Sequence, residues 1–146
     1  MELKAINSFT GPDLLYTNQR IAKFLHHALE QYGDPIAHIT KAIEYVYKKR
    51  EGKGGHILLA LEKEEIVGAV VLNDTGMEGY IPGTILVYIA VDKSQRGKGV
   101  GKKLMKAAVK LCNDGVALHV EPDNPARYLY EAVGFTSKYL EMRYQQ

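Results

Sequence analysis

Apolar residues in the first third of the chain recur every three or four positions, whereas those of the middle third bunch into short runs, and this change of period separates helices from strands. After the break at Gly11-Pro12, Leu14, Leu15, Ile21, Phe24, Leu25, Ala28 and Leu29 fall at helical spacing and predict a first helix that Gly33 closes. Asp34 followed by Pro35 reads as an N-cap and first-turn pair. Ile36, Ile39, Ile43, Val46 and Tyr47 then supply the stripe of a second helix that ends near Gly52. Ahead of both, residues 2–9 alternate and predict an opening strand.

Residues 56–61 and 66–72 are apolar runs separated by four charged positions, the layout of an antiparallel hairpin. Residues 73–83 are rich in turn formers and predict a mobile projecting loop, and 84–91, dense in β-branched and aromatic residues, is the expected central strand. Val100, Leu104, Ala108 and Leu111 mark one face of a helix that stops at Asn113-Asp114-Gly115, and residues 116–120 form a further short strand. Residues 84–120 are therefore a strand, helix, strand unit whose strands should run parallel. Asn124-Pro125 opens a closing helix that Gly134 ends, and residues 136–143 return as a final strand.

The composition narrows the functional classes. Hydrophobic residues make up 46% and charged residues 25% of 146, as expected of a single globular domain over residues 1–146. With 19 basic and 17 acidic side chains the net charge is +2, so the global balance does not call for nucleic acid. The lone Cys112 excludes an internal disulfide and suits a reducing, cytoplasmic setting. No Cys/His cluster has ligand spacing, so no metal is expected, and no apolar run is long enough to predict a membrane span.

The chemistry concentrates in residues 95–103, Gln-Arg-Gly-Lys-Gly-Val-Gly-Lys-Lys, which join the central strand to the following helix. Alternate glycines let successive N–H groups converge on one concavity, and the helix start adds unpaired donors and the positive end of its dipole. Arg96, Lys98, Lys102 and Lys103 crowd this end although the dipole disfavours cations there, a conflict that a bound polyanion removes. The spacing does not fit the nucleotide-triphosphate loop, because no Ser or Thr follows either Gly-Lys pair, nor the dinucleotide fingerprint, whose third glycine position is Lys102.

Two separated motifs, in order and with these strands around them, resemble those of the GNAT superfamily of N-acetyltransferases. Arg96, Gly99 and Gly101 fit its Arg/Gln-x-x-Gly-x-Gly/Ala pyrophosphate loop, and Ala126, Leu129, Tyr130, Gly134 and Phe135 fit its closing motif. The match is good over residues 84–135 and loose elsewhere. The resemblance implies an α/β (α+β) fold: a mixed, mostly antiparallel sheet of about six to seven strands with a central parallel splayed pair, flanked by about four helices.

The ligand it implies is acetyl-CoA, with the diphosphate on the N–H groups of Gly97, Lys98, Gly99, Val100, Gly101 and Lys102 beside Arg96, and the pantetheine arm paired like an extra strand with Ile89, Ala90 and Val91. Tyr130 matches the tyrosine credited with protonating the departing thiolate. A phenol of pKa ~10 is a reasonable acid toward a thiolate of ~8.5. The family asparagine falls at Asp123 here, with Asn124 one residue later, so Asn124 is either a cofactor contact or only a helix cap.

The general base is open among His119, Glu78, Glu121 and a water chain. Residues 12–50 and 73–83 are expected to select an unidentified amine acceptor: Tyr16, Tyr32, Tyr45, Tyr47 and Tyr80 could line an aromatic wall, and Asp74 and Glu78 could attract a cation. A non-catalytic acetyl-CoA sensor is the competing function. The resemblance also leaves room for a homodimer.

Overall fold

The apolar runs of the middle third become the centre of one five-stranded sheet. In the computed structural model, which describes residues 1–146, it comprises β1 (Glu2–Asn7), β2 (Gly55–Glu62), β3 (Glu65–Asp74), β4 (Thr84–Val91) and β5 (Val116–Leu118), in that spatial order. The first three pairings are antiparallel and β4 with β5 is parallel. The helices are α1 (Asn18–Leu29), α2 (Ile36–Tyr45), α3 (Val100–Lys110) and α4 (Ala126–Val133).

Helices cover both faces, which is why the central strands read as continuous apolar runs and not as alternation. On one face Ile21 and Leu25 of α1 and Ile39 and Ile43 of α2 pack with Ile57, Leu59, Val71 and Tyr88. On the other, Leu104, Met105 and Ala108 of α3 and Tyr130 of α4 pack with Leu58, Val70, Leu86 and Ile89. Leu104 and Met105 are fully buried, each worth roughly 1.5–3 kcal/mol relative to exposure. No helix is long and apolar enough to cross a membrane.

Local hydrogen bonds move several boundaries from where periodicity put them. The Asn7 side chain accepts from the N–H groups of Phe9 (2.9 Å) and Thr10 (3.1 Å), ending β1 two residues early. Asp13 accepts from Leu15 and Tyr16, and Thr17 caps α1 by accepting from Arg20 at 3.2 Å, so Leu14 and Leu15 stay outside the helix and exposed. Asp34 does not cap α2; its carboxylate is engaged by Tyr88 instead. The loop expected to be mobile is tied down, with Thr75 bonded to Gly83 and Pro82 and the Gly83 N–H donating to Asp114 at 2.9 Å.

The sheet has five strands, not six to seven. Residues 136–143 form no strand: Tyr139, Leu140 and Met142 lie exposed, and β5, three residues long, offers too short an edge to template another.

Candidate active site

β4 and β5 pair only at Thr84 with Val116, Ile85 with Ala117 and Leu86 with Leu118, then separate. The cause is in the facing register of β3, where Val71 pairs with Tyr88 but Leu72 with Leu86, so Val87 is an extra residue. Val87 and Tyr88 consequently face the same helical layer, that of α1 and α2, instead of opposite ones. Such a bulge bends its strand and breaks the ladder, here opening a gap toward the carboxyl ends of β4 and β5.

The backbone bordering this gap is only half used. The Asp92 N–H donates to Val67 O at 2.8 Å, which sets the antiparallel phase: Tyr88 and Ala90 exchange hydrogen bonds with β3, while Ile89 and Val91 turn their polar groups to the gap. Ala90 of the expected trio therefore spends its backbone polar groups on β3. The Val91 carbonyl is accounted for, accepting from Arg96 Nε at 3.2 Å.

Beyond β4 a short 3-10 turn, Lys93–Gln95, leads to the glycine segment. Gly97 and Gly99 adopt φ of 80° and 82°, the left-handed region that a side chain disfavours, and both look onto open space. None of the N–H groups from Gly97 to Lys102 has an acceptor within the chain. Lys98, Lys102 and Lys103 are exposed and make no ion pair, and the first turn of α3 contains no acidic residue. A loop of free donors ringed by unneutralised cations is built for an anion. Gly101 is small for another reason: a Cβ there would meet Leu129 Cδ2 at 3.1 Å, where α4 packs on α3.

Arg96 faces elsewhere. Its guanidinium donates to Ala28 O at 2.9 Å and contacts Glu30 Oε1 at 3.3 Å, so the side chain clamps the end of α1 to the end of β4. Asn124 acts as a cap, its Oδ1 accepting from the Ala126 N–H at 2.9 Å.

Tyr130 is buried among Leu86, Ile89 and Val100, its ring 6.2 Å from that of Phe135. Its hydroxyl has no partner in the chain yet is not occluded, the state of a phenol waiting for an acceptor. Burial raises its pKa, keeping the proton in place at neutral pH. His119 follows the last paired residue of β5, at the opening, with Nδ1 3.4 Å from Arg143 Nη2. Glu121 is exposed on the next loop.

Glu78 is not brought to this place. Its loop is pinned by Asp114 beside the amino ends of β4 and β5, whereas the strands part toward their carboxyl ends. The aromatic wall is also largely structural: Tyr16 bonds Glu64 O, Tyr45 bonds Asp74 O and Tyr47 bonds Asn18. Tyr32 alone of the five reaches toward the opening, its hydroxyl 3.5 Å from Asp123 O. Sequence reasoning missed Tyr88 and Asp34, whose only signal is a phenol interrupting an otherwise apolar strand.

A family model described as an acetyltransferase (GNAT) domain matches residues 53–137, more than half of the chain. Solved structures share the fold over nearly the whole length. One is an aminoglycoside N-acetyltransferase in complex with CoA (17% identity, 99% of this chain and 98% of that one, TM-score 0.65). Another is a ribosomal-protein-alanine N-acetyltransferase from Brucella melitensis biovar Abortus 2308 (18%, 99% and 99%, 0.68). A third is an aminoglycoside antibiotic 6'-N-acetyltransferase from Acinetobacter haemolyticus (16%, 100% and 98%, 0.69). No curated protein matches the chain.

Proposed function

Since the chain belongs to the GNAT family of acetyltransferases, we propose that it moves the acetyl group of acetyl-CoA to a primary amine by direct attack on the thioester, with Tyr130 as general acid. The observation that carries this reading is the run of unpaired N–H groups from Gly97 to Lys102, which lies past the carboxyl end of β4, the end toward which β4 and β5 part. Those donors suit a diphosphate, and Ile89 and Val91 offer the free strand edge that an extended amide-bearing arm needs.

Acetyl-CoA supplies an acyl thioester. The chain supplies position and proton traffic. Loop and strand edge together hold the thioester so that an amine in the opening meets it in near-attack geometry. Unpaired N–H groups of the parted β4 edge can stabilise the oxyanion that develops on the carbonyl. His119 is the candidate base at the opening and takes the ammonium proton before attack. Tyr130 gives its proton to the sulfur as the carbon–sulfur bond breaks, the attacking nitrogen sheds its surplus proton to water, water reprotonates the Tyr130 oxygen, and His119 releases its own proton to solvent.

The test has two arms. CoA at 100 times its dissociation constant should stabilise the chain by about 2.7 kcal/mol in thermal unfolding. Thiol release should then appear with at least one member of a primary-amine panel and depend on enzyme concentration. Protection by CoA without turnover for any amine would favour a sensor; absence of protection removes the reading itself.

A further inference from the structure

The first side chain of β4 past the bulge is Tyr88, which is buried and whose hydroxyl donates to Asp34 Oδ2 at 2.5 Å. Asp34 stands just ahead of α2, exposed, and Oδ1 has no partner in the chain. A buried phenol thus fixes the direction of a carboxylate whose other oxygen faces solvent. The loop that carries Asp34 faces the one after β5, because the Tyr32 hydroxyl reaches Asp123 O at 3.5 Å. Asp34 and His119 therefore stand on opposite banks of the opening.

A cation already stands on the His119 side of the opening. Arg143 of the C-terminal segment places Nη2 3.4 Å from His119 Nδ1, its Nε is paired with Glu141, and the charge of Asp34 acts on the same guanidinium. The Arg143 side chain is 61% exposed, so these polar partners are its main hold there.

We propose that Asp34, oriented by Tyr88, anchors a non-reacting cationic group of the acceptor, and that Arg143 occupies this place until the acceptor arrives. The reacting nitrogen itself is a poor guest for Asp34, since a carboxylate stabilises the ammonium form and so opposes the deprotonation that attack requires. A second ammonium is favoured without that penalty. The acceptor class is then a diamine or larger polycation. This inference rests on the acetyl-transfer reading and deepens it.

Butane-1,4-diamine and butylamine are matched probes that differ by one ammonium. Calorimetric binding to the CoA-loaded protein reads the anchor without needing turnover. Asp34→Asn should weaken diamine binding about fivefold, the upper range for an exposed ion pair, and leave butylamine unchanged. Tyr88→Phe should move the diamine in the same direction by less. Arg143→Gln should tighten it by about two- to fivefold, because an internal competitor is gone. The proposal falls if the native protein binds both amines equally, or if Asp34→Asn alters both alike. If CoA itself does not bind, the failure belongs to the acetyl-transfer reading and not to the anchor.

Discussion

The Arg96 guanidinium donates to the carbonyl oxygen of Ala28 at 2.9 Å, in the last turn of α1. That carbonyl is among the helix-end acceptors left without an N–H of their own, and the helix dipole favours a cation beside it. Because the same side chain bonds Val91 O, it joins a helix end, a strand end and the turn before the glycine segment.

Arg96→Ala should therefore lower stability by about 1 kcal/mol, at the modest end for a charged hydrogen bond because the side chain is 45% exposed. CoA affinity should fall as well, through release of the turn. Arg96→Lys should restore little of either, since an ammonium cannot span acceptors set for a planar fork. Urea midpoints and CoA titration of the two variants check this, and an unchanged midpoint in the alanine variant contradicts the clamp.

Tyr130→Phe keeps the ring that packs with Ile89 and Val100 and removes only the hydroxyl. Since that hydroxyl has no partner in the chain, stability should change by less than about 0.5 kcal/mol. Turnover should drop at least about 100-fold, the usual scale for loss of a general acid, with CoA binding retained. Equal loss of binding and turnover would recast Tyr130 as a wall of the cofactor site.

These two residues show where the sequence was readable. The turn geometry of the glycine segment and the placement of Tyr130 on α4 are legible because they follow from local backbone demands: left-handed glycines at 97 and 99, and a helix that a left-handed Gly134 ends. Arg96 was visible as a charge, but its partners Ala28 and Glu30 lie far upstream, and no local pattern records a contact closed by the fold. Asp34 failed for a related reason. Asp-Pro ahead of an apolar stripe is a sound capping signal, and a tertiary partner, Tyr88, outcompeted it. Glu78 and the final strand were misplaced because loop direction and edge pairing depend on neighbours that periodicity does not encode.

Alkaline solution should unfold the chain earlier than its charge suggests. Burial first, then the hydrogen bond from its hydroxyl to Asp34, holds the Tyr88 phenol far above its usual 10.0, and burial raises Tyr45, Tyr47 and Tyr130 as well. A phenol raised in the folded state leaves stability intact below the unfolded value of about 10. Above it the unfolded chain ionises first, so stability is lost progressively as pH climbs toward the folded values. Melting temperatures taken from about pH 8 to 10.5 should fall steeply for the native chain and less steeply for Tyr88→Phe, even though that variant starts lower. Parallel slopes would mean that Tyr88 ionises as freely folded as unfolded.

The two ends of β4 separate two of the candidate bases, Glu78 and His119. Asp114 Oδ2 accepts from Gly83 at 2.9 Å and from Gly79 at 3.4 Å, fixing the Glu78 loop at the amino end of the strand. A side chain held there cannot take a proton from an amine seated where β4 and β5 have separated, because proton transfer needs hydrogen-bond reach or a single bridging water. Glu78→Gln should accordingly leave kcat/KM within about twofold of native, corresponding to less than about 0.5 kcal/mol. His119→Ala should lower kcat by about 100-fold or more with CoA affinity intact. Should Glu78→Gln cost as much as His119→Ala, the amine must enter from the other end of the strands, and the whole placement of the acceptor turns over with it.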